Sequence, residues 1–391
     1  MSDVGLLVVG GGPAGHSAAG AYRDAGGTGR VVLLSAEGRA PYLRPPLSKD
    51  LLRGETEPGD LPLADGSWYA RRGIELRPGR AAALDPEGRR VTLADGASIA
   101  YATCVLATGA DPVRPPVDGA DLDGVRVLRT VDHALALRER AKPGTRVVVV
   151  GSGFIGCEAA ASLGARGCAV ALLSEHPAPQ VPRLGPEVGA RLAAWLDEAG
   201  VEARYETSLA AVHDGAGGPL RVEASRGGAL DADLVLLAVG VRPGSDLARD
   251  AGLALGEGDE VLAQSTMRTG ADGLLACGDC SRARHAVAGR PLHVEHWGDA
   301  LAQGEVAGTV AAGGEAECRT VPGFWSTIGE RTLKYAAWGD GFDEVRVREH
   351  GDGAFSAWYG AGGVCVGVLT HGRDEDYDAG RDRIERGARL P

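Results

Sequence analysis

Cationic excess, long apolar runs and a disulfide framework are what this sequence lacks. Its 41 Lys and Arg are outnumbered by 53 Asp and Glu, a formal net charge of −12. Nonspecific nucleic-acid binding needs a basic footprint, so that class is disfavoured. No run of about 18 apolar residues occurs, and no membrane-spanning helix is expected. The start, Met1-Ser2-Asp3-Val4, leads into an apolar strand and leaves no room for a signal peptide. The seven cysteines (Cys104, Cys157, Cys168, Cys277, Cys280, Cys318 and Cys365) are odd in number and scattered. That pattern suits small core residues in a reducing, cytoplasmic setting. Cys277-Gly278-Asp279-Cys280 is a C-x-x-C, but no second ligand pair follows at zinc-like spacing, so no metal is expected.

What is present begins with length. A chain of 391 residues exceeds one ordinary core, and roughly two or three domains are expected. Hydrophobic content of 44% and charged content of 24% are those of a globular protein. Glycine supplies 61 residues, and two clusters of it carry the chemistry. The first lies in Gly5-Leu6-Leu7-Val8-Val9-Gly10-Gly11-Gly12-Pro13-Ala14-Gly15, the second in Arg146-Val147-Val148-Val149-Val150-Gly151-Ser152-Gly153-Phe154-Ile155-Gly156. Each is G-x-G-x-x-G between a strand and a helix. The glycines serve a tight turn, close approach of backbone to a pyrophosphate, and helix–strand packing. The pyrophosphate then sits on the helix N-terminus, where free N–H groups favour negative charge. Two such fingerprints imply two dinucleotides with electrons passing between them.

The fold expected is α/β: two Rossmann-like dinucleotide-binding domains, one inserted into the other, with a small α+β C-terminal domain. A proline-rich linker at Asp111 to Pro116 marks a boundary. The expected domains are 1–112 with 241–320, then 113–240, then 321–391. The end of the first module, Leu106-Ala107-Thr108-Gly109, is echoed by Leu237-Ala238-Val239-Gly240. Aromatics from Phe324 to Tyr359 alternate with polar residues, as in an antiparallel sheet. The segment Ala40 to Gly54, rich in Pro and Arg, is expected to hold no regular element, and the tail after Gly360 to be partly disordered.

The order of motifs resembles the glutathione reductase-like flavoproteins of the pyridine nucleotide-disulfide oxidoreductase superfamily. Pro41-Tyr42-Leu43-Arg44-Pro45-Pro46-Leu47-Ser48-Lys49 narrows the resemblance. It is similar to the signature of NADH-dependent, FAD-containing ferredoxin reductases that serve oxygenases and cytochromes P450, the putidaredoxin reductase-like group. The resemblance runs from Leu6 to the Trp325-Ser326 region. It implies that Gly10, Gly12, Ala14 and Gly15 bind the FAD pyrophosphate and Glu37 the adenosine ribose. Arg44 and Arg129 would neutralise phosphates, Thr108 and Gly109 would contact the flavin, and Gly278-Asp279 would meet the ribityl chain. The second fingerprint, with Gly151, Gly153, Ile155, Gly156 and Gly240, would bind NAD.

The same resemblance implies that Lys49 and Glu158 pair beside the isoalloxazine and that Trp297 stacks near the nicotinamide. The plain structural alternative makes Lys49 a solvated loop lysine, Glu158 a helix-surface acid and Trp297 a core aromatic. Where the family carries an acid for the NAD 2′-OH, this chain has Ser174 followed by Glu175. Glu175 would repel a 2′-phosphate, so NADH is favoured over NADPH. Gly38 to Lys49 contains no cysteine, so the internal acceptor disulfide of the glutathione reductase type is missing. Electrons are therefore expected to leave to a small iron–sulfur protein, a ferredoxin, with rubredoxin the runner-up. Arg39, Arg44, Arg53, Arg282, Arg284, Arg331 and Lys334 are candidates for a basic docking patch. Two further classes stay open: an NADH-responsive redox-sensing flavoprotein, and a flavin oxidase acting on a small molecule. Monomer and homodimer are both compatible with the sequence.

Overall fold

The apolar run of the first fingerprint forms the strand Val4–Val9, and its side chains divide by the two-residue period of a strand. Leu6 and Val8 enter one buried cluster, Leu7 and Val9 the other. A strand buried on both faces reads as a continuous hydrophobic run, the mark of a covered parallel sheet. The structure is a computed structural model and describes residues 4–391. The reading of Met1-Ser2-Asp3 as too short a leader lies outside the described residues.

Two compact units divide the chain: Met1–Leu43, Leu61–Asp111 and Arg242–Phe324 form the first, and Arg44–Asp60, Pro112–Val241 and Trp325–Pro391 the second. The chain leaves the first unit inside the proline-rich linker. The division differs from three sequence domains in two respects. The short segment Arg44–Asp60 groups with the second unit, and so does the C-terminal module from Trp325 onward.

In the first unit the strands Ile74–Pro78, Val31–Ser35, Val4–Val9, Ser98–Leu106 and Leu274–Ala276 lie side by side, each pair parallel. The outer part of Ser98–Leu106 continues into an antiparallel ribbon with Arg90–Leu93 and Ala81–Asp85. One face is covered by the helices Pro13–Asp24 and Trp297–Ala311. These two cross closely because Gly304 and Gly308 have no side chain. A Cβ there would stand 2.3 and 2.2 Å from the carbonyl oxygens of Ala14 and Ala18.

The second unit repeats the plan. Glu202–Arg204, Ala169–Leu173, Arg146–Val150, Leu234–Leu237 and Val125–Val127 form a parallel sheet with the second fingerprint strand at its centre. The helix Phe154–Ala165 follows that fingerprint. The C-terminal module is a five-stranded sheet whose pairings from Arg331–Ala337 through Val364–His371 and Ala354–Ala361 to Glu344–Gly351 are antiparallel. The mixed α/β architecture expected from the sequence is the one found.

Two local expectations are corrected. The segment Ala40 to Gly54 does hold regular structure: a 3-10 turn, Pro45–Ser48, then one helical turn, Asp50–Arg53. Prolines at the first two positions of a helical turn replace N–H groups that would have had no partner there. The tail is also ordered, as the strand Val364–His371 and the helix Asp374–Glu385. Asp374, Glu375 and Asp376 in the first turn of that helix complement its dipole. Ile384 is buried and Gly380 lies against Val368, where a Cβ would meet the valine Cγ1 at 2.4 Å.

Arg166 ties the second unit together. Its Nε donates to Ala141 O at 3.1 Å, Nη1 to Arg53 O at 2.9 Å and Nη2 to Arg138 O at 3.1 Å. Those carbonyls lie at the C-terminal ends of the helices Val131–Arg140 and Asp50–Arg53, and Arg166 itself follows the helix Phe154–Ala165. One fixed guanidinium fork thus satisfies three orphan carbonyls at the ends of two helical segments. Arg166→Ala is expected to destabilise this unit by about 3 kcal/mol, from the loss of three charge-assisted bonds. Arg166→Lys should recover little, since an ammonium cannot span three directions. Urea unfolding of both variants checks this.

Candidate functional site

Three glycines of each fingerprint can be separated by what a side chain would strike. At Gly10, with φ +133°, a Cβ would stand 2.0 Å from Ala107 O. At Gly151, with φ +104°, it would stand 2.3 Å from Ala238 O. These two carbonyls belong to the echoed segments, so the repetition in the sequence is two copies of one strand-end contact. At Gly15 and Gly156 a Cβ would meet Gly10 O and Gly151 O, each at 2.0 Å, which is the third glycine's packing role.

The central glycines behave differently. At Gly12 nothing lies within 4 Å of a Cβ, and at Gly153 the nearest atom is Gln180 Nε2 at 3.8 Å. Neither glycine is required by packing inside the protein. Each leaves open space at a helix N-terminus, where the pyrophosphate of a dinucleotide fits. The same fit holds at both fingerprints. In the second unit the rim is apolar as well, with Ile155 and Val239 among the most exposed large hydrophobic side chains.

In the first unit, Ala14 is buried on the helix that follows the fingerprint. Glu37 lies two residues past the strand Val31–Ser35 and accepts from Tyr42 Oη at 2.5 Å. Thr108-Gly109 follows the strand Ser98–Leu106, and Gly278-Asp279 opens a short 3-10 turn after the strand Leu274–Ala276. That turn is held firmly. Gly278 N donates to Gln303 Oε1 at 2.9 Å, and His293 Nε2 stands 3.0 Å from Asp279 O. Behind His293 lies the buried Glu260, 3.2 Å from its Nδ1 and 2.6 Å from Arg282 Nη2. Burial would raise the Glu260 carboxyl, but the Arg282 hydrogen bond and neighbouring charges hold it below its ordinary range. Trp297 starts the helix Trp297–Ala311, half-buried, and His296 rests against the Phe324 ring at 4.3 Å.

Cys277 and Cys280 are fully buried free thiols, and burial pushes both above their ordinary range. Cys280 Sγ points to the Leu106 and Cys277 carbonyls. Thiols so placed are inert. Among the described residues no cluster of three or more His, Cys, Asp or Glu is arranged to hold a metal. Nor is any described helix long and apolar enough to cross a membrane.

In the second unit, Lys49 and Glu158 meet. Lys49 Nζ lies 2.8 Å from Glu158 Oε2, with the two residues 8% and 5% exposed. The solvated alternatives for both are therefore wrong. The same carboxylate oxygen accepts from Ser48 Oγ at 2.5 Å, while Oε1 accepts from Ser326 Oγ at 2.8 Å and Thr327 N at 3.3 Å. One helical turn past Glu158, Ser162 Oγ donates to Ser48 O at 2.8 Å and pins the Pro45–Ser48 turn to that helix. Arg44 and Arg129 are brought together, with Arg44 Nη1 donating to Arg129 O at 2.7 Å.

Ser174 and Glu175 part company. Ser174 is 1% exposed, its Oγ 2.7 Å from Ser152 Oγ and 3.2 Å from His176 N, whereas Glu175 is exposed at the strand end. Ser174 shapes the turn, so the group turned outward there is Glu175. Gly240, with φ +111°, ends the echoed segment beside Val239. Sequence reasoning missed Ser48 and Ser326 as partners of Glu158. Only Ser48 carried a signal, its place beside Lys49. Of the proposed docking cations, Arg53, Arg282, Arg331 and Lys334 are held by acids.

The chain matches the family model described as pyridine nucleotide-disulphide oxidoreductase over residues 5–304 and one described as reductase C-terminal over 323–391. The second match carries the likeness well past Ser326, to the last residue. The ferredoxin–NAD(+) reductase component of the anthranilate 1,2-dioxygenase system of Burkholderia cepacia is 34% identical over 99% of this chain and 96% of its own length. The rubredoxin–NAD(+) reductase of Pseudomonas putida is 32% identical over 84% of this chain and 85% of its own. In the crystal structure of the covalent putidaredoxin reductase–putidaredoxin complex, one chain superposes with a TM-score of 0.93 at 28% identity, covering 99% of this chain and 94% of that one. With the two fingerprints, the linking motifs and the C-terminal module all matched, this chain belongs to the pyridine nucleotide-disulphide oxidoreductase family, among relatives that reduce ferredoxin or rubredoxin.

Proposed function

We propose that this protein is an FAD-dependent reductase that takes a hydride from NADH and passes single electrons to a ferredoxin, or to a rubredoxin, serving an oxygenase or cytochrome P450. The observation that carries the reading is the repeated fingerprint, each copy with a central glycine that no protein contact requires. FAD supplies the redox chemistry when bound; the chain binds, orients and shields it.

In the first unit Gly10, Gly12, Ala14 and Gly15 hold the FAD pyrophosphate at the start of the helix Pro13–Asp24, and Glu37 accepts from the adenosine ribose. Asp279 reaches the ribityl chain from a turn fixed by Gln303 and His293. Arg44 and Arg129 neutralise phosphate, for which a forked guanidinium is suited. Lys49 and Glu158 set the charge beside the isoalloxazine, and Trp297 packs against the flavin–nicotinamide stack. In the second unit Gly151, Gly153, Ile155, Gly156 and Gly240 form the NAD cradle, and Glu175 takes the adenosine ribose hydroxyls. Because the Cys277 and Cys280 thiols are buried and raised, electrons leave to a separate carrier protein. The cytoplasm, where free thiols persist, is the compartment this reading assigns.

Anaerobic mixing of the flavin-loaded protein with NADH, and separately with NADPH, tests the proposal. NADH is expected to bleach the flavin rapidly, with a second-order rate constant roughly 100-fold above that for NADPH, because Glu175 faces any 2′-phosphate. Glu175→Arg should narrow that ratio. Reduction taking minutes with either nucleotide would overturn the reductase reading.

A further inference from the structure

Three stretches of chain far apart in sequence meet on one buried carboxylate. Lys49 and Ser48 come from the short 3-10 turn and its end, Glu158 from the helix after the second fingerprint, and Ser326 with Thr327 from the first strand of the C-terminal sheet. The donors divide evenly. Glu158 Oε2 takes Lys49 Nζ at 2.8 Å and Ser48 Oγ at 2.5 Å; Oε1 takes Ser326 Oγ at 2.8 Å and Thr327 N at 3.3 Å. Both serines are buried, Ser48 5% and Ser326 1% exposed.

We infer that Ser326 is a positioning residue for hydride transfer. Its hydroxyl fixes the rotation of the Glu158 carboxylate, and the carboxylate in turn fixes the Lys49 ammonium. The inference rests on the proposed function, which puts Lys49 and Glu158 beside the flavin. An ammonium on a flexible four-carbon stem takes its position from what it pairs with. Rotation about the last bond of Glu158, a broad torsion with weak intrinsic preference, carries both oxygens together, and Ser48 and Lys49 hold it through Oε2 alone. Ser326 Oγ at 2.8 Å holds it through Oε1; Thr327 N, at 3.3 Å, is too long to do so alone. The C-terminal module is thereby part of the reductive site rather than an appended docking element. A positive charge held at one distance from the flavin stabilises the reduced, electron-rich form and steadies the geometry in which the hydride leaves NADH.

The test uses the full flavin-loaded chain with Ser326→Ala, Ser48→Ala, Glu158→Gln and the double variant Ser326→Ala/Glu158→Gln. Two quantities are read: the limiting rate of flavin reduction by NADH, and the flavin midpoint potential by dye equilibration. Ser326→Ala is expected to lower the limiting rate about tenfold, the loss of one hydrogen bond to a charged group. It should move the potential to more negative values and leave the apparent NADH affinity unchanged. In the Glu158→Gln background the same substitution should add less than about twofold, because residues acting through one group are not additive. A Ser326→Ala protein with the parental rate and potential overturns the inference, and so does a full tenfold loss repeated in the Glu158→Gln background. If the parent is reduced normally and Glu158→Gln matches it, the role of Glu158 falls and the inference with it, while hydride transfer from NADH stands. If the parent is not reduced by NADH, the proposed function and the inference fall together. Ser48→Ala, on the other oxygen, keeps the question open to measurement should Ser326→Ala fold poorly: it should shift the potential in the same direction, and an unchanged potential counts against the network.

Discussion

Replacing Glu158 by alanine is expected to destabilise the second unit by about 3–5 kcal/mol, the range for removing one partner of a buried ion pair. The Lys49 and Glu158 side chains are only 10% and 6% exposed. With the carboxylate gone, the Lys49 ammonium stays in a site that excludes water. The Ser48 and Ser326 hydroxyls and the Thr327 amide lose their acceptor at the same time, each a buried polar group left unsatisfied. Glu158→Gln should be milder for the fold but still harmful. An amide presents acceptors to only one side, and either orientation turns its NH2 toward a donor-rich pair. Two outcomes are therefore expected together. Thermal unfolding of Glu158→Ala should show a large loss in the transition of the second unit, and flavin reduction by NADH should fall by orders of magnitude in whatever protein remains folded. A parental melting curve for Glu158→Ala would mean that the pair is solvated in solution.

Gly12→Ala and Gly15→Ala should fail in opposite ways. At Gly12 a Cβ meets nothing, and φ is −92°, which alanine accepts. The variant should fold with parental stability yet lose FAD, because the methyl occupies the space a pyrophosphate would take at the helix N-terminus. At Gly15 a Cβ would stand 2.0 Å from Gly10 O. The helix must then move off the strand Val4–Val9, and the expected result is misfolding or several kcal/mol of destabilisation from overpacking. The second unit offers the same contrast. Gly153→Ala should spare the fold and bound flavin while raising the NADH KM by 10-fold or more on the order expected for a blocked phosphate site; Gly156→Ala should not fold. Flavin content, melting temperature and KM measured on the four variants separate these classes. A yellow, fully active Gly12→Ala protein would remove the main support for a pyrophosphate at that position.

The extent to which the sequence foretold this protein follows the range of the interactions involved. Continuous apolar strands such as Arg146–Val150, the glycine spacing and the helix after each fingerprint are local, and these local signals match the strand and helix found at each fingerprint. The echoed segments Leu106 to Gly109 and Leu237 to Gly240 were visible as repetition, although their purpose, the Ala107 and Ala238 carbonyls pressed on the first glycine of each fingerprint, shows only in the folded chain. The C-terminal helix Asp374–Glu385 escaped notice because it is mostly charged, with Ile384 nearly alone in marking its inner side. The proline-rich turn escaped because propensity counts proline against helix without regard to its place in the first turn.

By itself the sequence determined that two dinucleotides are bound by two parallel-sheet modules, that no acceptor disulfide is built in, and that Lys49 and Glu158 were worth watching. Tertiary structure alone decided that Ser326, from 168 residues beyond Glu158, closes the carboxylate's second oxygen. It also decided that Ser174 turns inward while Glu175 faces out, and that Arg166 caps the ends of two helical segments through three carbonyls. The reason is physical. Periodicity and spacing encode contacts within a strand, a turn or one helical face, whereas the hydrogen-bond partner of a buried charge is chosen by packing among segments that the chain brings together only on folding.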